Sequence, residues 1–107
     1  MSAGLRNTAN GEASAVSGGR FNTASGTWSA VSGGDGNIAS GETSSVSGGG
    51  TRLFTVEGRN IASGIASSVS GGRGNTASGE ASSVSGGLNR TAAGDFDWVA
   101  GSLVEGE

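Results

Sequence analysis

Six coils of an all-β parallel β-solenoid, a β-roll with about 15 residues per coil, are what this sequence predicts, and three observations carry the prediction. A phrase of the form N-x-A-x-G-x-x-S-x-V-S-G-G returns at 7–19, 22–34, 37–49, 60–72 and 75–87. Each phrase divides into N-x-A-x-G and S-x-V-x-G, both alternating with the two-residue period of a strand. Glycine ends every such segment, singly in the first and as the first of a pair in the second. Composition alone points elsewhere, because 23 glycines without proline in 107 residues describe a flexible tether. A tether needs no position-by-position fidelity. A short exact period does, and it marks a solenoid in which each repeat is one coil.

Coils start at Asn7, Asn22, Asn37, Asn60 and Asn75, with Arg90 in the same register of a sixth, degenerate copy. Four of the five spacings are 15 residues and one is 23. In the first segment Asn, Ala and Gly share the inward face, and in the second Ser, Val and Gly do. Hence the expected filling is Ala9, Ala24, Ala39, Ala62, Ala77 and Ala92 opposite Val16, Val31, Val46, Val69, Val84 and Val99. Such small residues imply a very thin interior. The glycines are expected to turn the chain at positive φ, pairs at one corner and singles at the other. Stacked at about 4.8 Å, six coils make a rod of about 29 Å. The inward Asn column is expected to pass amide hydrogen bonds from coil to coil, or else to favour the turn before each strand. So little buried surface predicts association between copies, a homo-oligomer that also protects sheet edges.

The phrase, with its closing variant RTAAGDFDWVAGS at 90–102, resembles the head repeats of trimeric autotransporter adhesins, the YadA-like head family. The resemblance covers about 7–102, nearly the whole single domain. It implies a left-handed parallel β-roll, a homotrimer with chains side by side, a place on the bacterial cell surface or outside the cell, and a host or matrix surface ligand. Handedness rests on this resemblance alone. The 15-residue coil departs from the best-known heads, whose units are one residue shorter, and no neck, stalk or membrane-barrel pattern is read up to Glu107. The chain is therefore expected to be a head segment. Similar repeats occur in phage tail-fibre-like proteins, so the motif specifies architecture more than role.

A second resemblance is to grass ice-binding proteins, which repeat x-x-N-x-V-x-G-x-x-N-x-V-x-x-G. RGNTASGEASSVSGG at 73–87 follows that frame with Ala for the first Val and Ser for the second Asn. The outward column that would order water, or line a seam between chains, is Thr8, Thr23, Ile38, Ile61, Thr76 and Thr91. Beside it run Asn10, Ser25, Ser40, Ser63, Ser78 and Ala93.

Catalysis finds little to work with. His, Cys, Lys and Tyr are absent, so general acid-base work would have to come from carboxylates and the many Ser hydroxyls have no activating base; the reading is not an enzyme, with no cofactor. A net charge of -3 with six isolated Arg leaves no basic patch for nucleic acid. No apolar run reaches membrane-spanning length. Glu12, Glu42, Glu80 and Asp95 share one corner, but Thr27 and Ile65 interrupt them and no calcium-binding roll signature is present, so no metal site is assigned. The Gly71-Gly72-Arg73-Gly74 pattern lacks the strand-to-helix context and the Lys of a phosphate loop and reads as a turn.

Two places break the repeat. An eight-residue insertion, 51–58, brings Leu53, Phe54 and Val56, the densest apolar cluster in the middle of the rod, as a flap or a loop contact. Residues 95–107 are expected to cap the last coil with Trp98, Val99, Leu103 and Val104. Trp28 and Phe96 stand at equivalent corners and are expected to pack along the roll, with a surface anchor for a ligand as the alternative for one of them.

Overall fold

The computed structural model describes residues 6–50 and 58–100. They form a parallel β-solenoid of six coils with no helix. The first segments give β1 (Thr8–Ala9), β3 (Thr23–Ala24), β5 (Ile38–Ala39), β7 (Ile61–Ala62), β9 (Thr76–Ala77) and β11 (Thr91–Ala92). The second segments give β2 (Ala15–Val16), β4 (Ala30–Val31), β6 (Ser45–Val46), β8 (Ser68–Val69), β10 (Ser83–Gly86) and β12 (Trp98–Ala100). Odd strands stack in one six-stranded sheet and even strands in a second, every pairing parallel. Most strands are two residues long because the next inward position is already a corner.

Between the sheets lies a single file of side chains. Ala24, Ala39, Ala62, Ala77 and Ala92 face Val16, Val31, Val46, Val69 and Val84, all essentially inaccessible to water, with Ala9 and Val99 partly buried against them at the two ends. The thin layer follows from strand spacing and residue size: Ala opposite Val leaves no space for a longer side chain.

The two glycine classes have different reasons. At the paired corner the second glycine, such as Gly19 at φ 82°, turns left-handed as expected. At the single-glycine corner the expectation of positive φ fails. Gly11, Gly26, Gly41, Gly64, Gly79 and Gly94 keep ordinary φ, and the left-handed residue stands two positions later, at Ala13, Trp28, Thr43, Ala66, Ala81 and Phe96 (φ 55° to 64°). Each of these corners is a tight turn closed by a bond such as Ser29 N–H to Gly26 O at 3.1 Å, with positive φ only at the third residue, the type II pattern. Glycine opens the turn for close approach. A Cβ at Gly26 would overlap the carbonyl of Gly41 one coil away.

The Asn column passes its hydrogen bonds from coil to coil, but each runs to the backbone and not to the next amide side chain. Asn22 Nδ2 donates to Gly18 O and Gly34 O, both at 3.0 Å, and its Oδ1 accepts the backbone N–H of Asn37 at 2.9 Å. Asn37 and Asn75 repeat the pattern. Each buried amide thus ties the paired-glycine corner of the preceding coil to that of its own. A polar side chain in the interior is stable only when its donors and acceptor are matched in this way.

The insertion leaves the stack undisturbed. Ile38 pairs Ile61 and Val46 pairs Val69 in the same register as every other coil. One corner position is shared between two glycines: Gly50 N–H donates forward to Gly72 O at 2.7 Å, while Gly58 O accepts from Gly74 N–H at 3.1 Å. The excursion leaves after Gly50 and rejoins at Gly58. Leu53, Phe54 and Val56 lie outside the described residues, as do Leu103 and Val104.

Candidate functional surfaces

The described residues present two sheet faces and two edges as candidate surfaces. On the odd-strand face, Thr8, Thr23, Ile38, Ile61, Thr76 and Thr91 pair directly from coil to coil. The four inner members are half-buried, and Thr8 and Thr91 are exposed at the ends. Asn10, Ser25, Ser40, Ser63, Ser78 and Ala93 run exposed beside them. The even-strand face carries Ala15, Ala30, Ser45, Ser68 and Ser83 in one paired column, ending on Trp98. Neither face holds a charged residue among those described. Such faces offer hydroxyls and methyls at the coil spacing, suited to packing against another regular surface rather than to enclosing a small molecule.

The first edge, between an odd strand and the even strand after it, carries the acidic residues. Glu12, Glu42, Glu80 and Asp95 are all exposed there. Among the described residues no group of three or more His, Cys, Asp or Glu is placed to hold a metal ion. Asp95 Oδ1 instead accepts the backbone N–H of Glu80 at 2.9 Å. Trp28 and Phe96 share this edge and, contrary to the expectation that they pack along the roll, are 58% and 75% exposed. Their left-handed backbone turns the side chains outward.

Inward serines show no catalytic arrangement. Ser14, Ser67 and Ser82 donate their hydroxyls to Gly11 O, Gly64 O and Gly79 O at 2.7 to 2.8 Å. Ser29 and Ser44 are buried with Oγ unpartnered. They are the two that follow a residue larger than Ala, Trp28 and Thr43, at the left-handed position.

At the second edge Arg20 forks onto Asp35 Oδ2, from Nε at 3.2 Å and Nη2 at 3.1 Å, bridging adjacent coils. Arg6 lies 6.0 Å from the centroid of the Phe21 ring. At the last coil Trp98 is 60% exposed and donates its indole N–H to Ser85 Oγ at 2.7 Å. Val99 is half-buried beneath it.

Sequence reasoning passed over Asp97. It stands where five earlier coils have Ser, and its Oδ2 accepts the Gly94 N–H at 2.8 Å. In the earlier coils that amide donates to the Ala carbonyl of the following coil, as Gly79 does to Ala92 O. The single Ser-to-Asp departure was the available signal.

Among the described residues no helix is long and apolar enough to cross a membrane. Compared with protein-family models, with curated proteins and with solved structures, the chain matches none.

Proposed function

We propose that this chain is a non-enzymatic structural and adhesive head module, working as a homotrimer in a bacterial surface adhesin or a related fibre outside the cell. The observation that carries the reading is the pair of flat, uncharged sheet faces repeated in strict register around a single-file interior. So thin a core gives a lone rod little buried surface, whereas neighbouring copies add burial and shield half-exposed Thr, Ile and Ser columns. The sequence also lacks His, Cys, Lys and Tyr, which removes the usual nucleophile and base pairs. In this reading the roll winds left-handed, and one exposed face or the insertion loop contacts a host or matrix ligand.

Light scattering on the purified chain, combined with adhesion to immobilised matrix proteins, tests it. A trimeric mass with saturable adhesion is expected. A folded monomer that binds no surface overturns it.

The regularity of the Thr8 to Thr91 column favours a second reading from another class, an ice-binding rod. Its paired hydroxyls and methyls are flat, neutral and evenly spaced, which ordering of surface water requires, although Ile38 and Ile61 break the run of Thr at mid-length. Thermal hysteresis that is lost in Thr23→Glu separates it from the adhesive reading.

A further inference from the structure

Charge on this roll is sorted by edge. On the first edge stand the exposed carboxylates of Glu12, Glu42 and Glu80, followed by Asp95 and Asp97 in the last coil. On the second edge stand Arg6, Arg20 and Arg73, all exposed, with Arg59 and Arg90 half-buried at neighbouring positions of the same corner. Asp35 is the one described carboxylate on the basic edge, and its partner is Arg20 at 3.1 Å. The sheet faces between the edges are neutral.

Local folding does not ask for this arrangement. Either corner accepts either sign, since both are solvated turns, and stacking like charges along one edge costs self-repulsion. Glu12, Glu42 and Glu80 recur at every second coil, about 10 Å apart, which is comparable to the screening length at about 0.1 M salt. A surface of the opposite sign laid along the edge relieves that repulsion.

We propose that this surface is the basic edge of a second copy, with rods parallel and the acidic edge of each chain docked on the Arg6, Arg20 and Arg73 edge of the next. The proposal rests on the oligomeric reading above and specifies its contact. An edge-to-edge contact with two-fold symmetry would set acid on acid and base on base. The sorted edges fit a heterologous contact instead, which uses both edges of every copy and makes a ring when the rotation from copy to copy closes. Neutral faces then turn towards the ring axis or outward without desolvating a charge.

The test is light scattering on the whole chain with circular dichroism as a check on folding. Raising salt from about 0.05 M to about 1 M should lower the mass of the wild-type assembly. The acidic-edge variant Glu12→Arg, Glu42→Arg, Glu80→Arg turns that edge from a net -5 to +1 and leaves two basic edges, and the basic-edge variant Arg6→Glu, Arg73→Glu cancels the +4 of the other edge and leaves one acidic and one neutral edge. Each alone should keep its β spectrum and fall about threefold in mass to a monomer, and mixing the two should give a mixed dimer through the one acid-to-base contact that remains, since a three-membered ring cannot alternate two species. If the triple variant loses its β spectrum, the single variant Glu80→Arg, together with the wild-type salt series, decides the matter. Assemblies indifferent to salt and to reversal of one edge overturn the edge contact and leave the trimer reading standing. A wild-type monomer at low salt removes both.

Discussion

Asn37 Oδ1 accepts the backbone N–H of Asn60 at 3.2 Å across 23 residues, the same bond that Asn22 makes to Asn37 across 15. The eight extra residues are therefore no part of the rung geometry. Deleting 51–58 joins Gly50, which already donates to Gly72 O, to Arg59, and combining the deletion with Arg59→Gly supplies the left-handed freedom that Gly36 and Gly74 have at that position. The shortened chain should keep its β-rich spectrum, with unfolding free energy within about 1 kcal/mol of the parent, since shortening a loop changes closure entropy only slowly. Adhesion lost without loss of assembly would assign binding to the insertion. Collapse of the β spectrum would show instead that the excursion covers the roll.

The two glycine classes should respond oppositely to alanine. Gly26→Ala sets a methyl against the carbonyl of Gly41, backbone that cannot move without opening the ladder, and should cost several times the usual effect of a surface substitution, at about 3 kcal/mol. Gly33 keeps ordinary φ, and a Cβ there meets nothing within 4 Å, so Gly33→Ala should be neutral or stabilise by about 0.4–1 kcal/mol through the unfolded chain. Denaturant midpoints of the two variants check the contrast.

Alanine at a left-handed position invites the reverse substitution. Ala81 sits at φ 55° with its N–H donating to Ile65 O at 2.7 Å, and its side chain is exposed. Ala81→Gly removes a left-handed cost of about 1–2 kcal/mol and adds unfolded-state entropy of about 0.5–1 kcal/mol, so a net gain of about 0.5–1 kcal/mol is expected. Ala77→Gly, in the buried file, should instead destabilise. A lowered melting temperature for Ala81→Gly would refute the strain argument.

What the sequence disclosed, and what it concealed, follows from where the repeat carries information. Period and alternation place Ala24 and Val31 inside and Thr23 outside, because a strand has only two faces. They are silent on a residue such as Ala13 or Trp28, which turns left-handed without the glycine that normally announces it. Asn22 was legible as an inward side chain, yet its partners were not. Only the folded corner brings Gly18 O and Gly34 O within 3.0 Å of one amide. The surfaces were legible as columns. The sorting of charge became visible only once each corner had been assigned to an edge.

The sixth coil gives the sharpest check on how a coil satisfies its amides without the regular ladder. Gly94 has the same backbone position as Gly79, but its N–H is taken by Asp97 Oδ2 at 2.8 Å rather than by an alanine carbonyl of a further coil. A carboxylate does here what an Asp does at a helix start, satisfying an amide that the regular ladder leaves without a partner. Asp97→Ala should release that amide, raising hydrogen exchange at Gly94 and costing about 0.5–1 kcal/mol, modest because the carboxylate is exposed. Asp97→Asn keeps an acceptor oxygen and should retain most of the protection. Asp97→Ser restores the repeat, but in the other coils that hydroxyl bonds the carbonyl of the glycine and not its amide, as Ser82 does with Gly79 O at 2.8 Å. Serine should therefore behave like alanine at the Gly94 amide. Equal exchange in wild type and Asp97→Ala would show that the carboxylate is not what closes this coil.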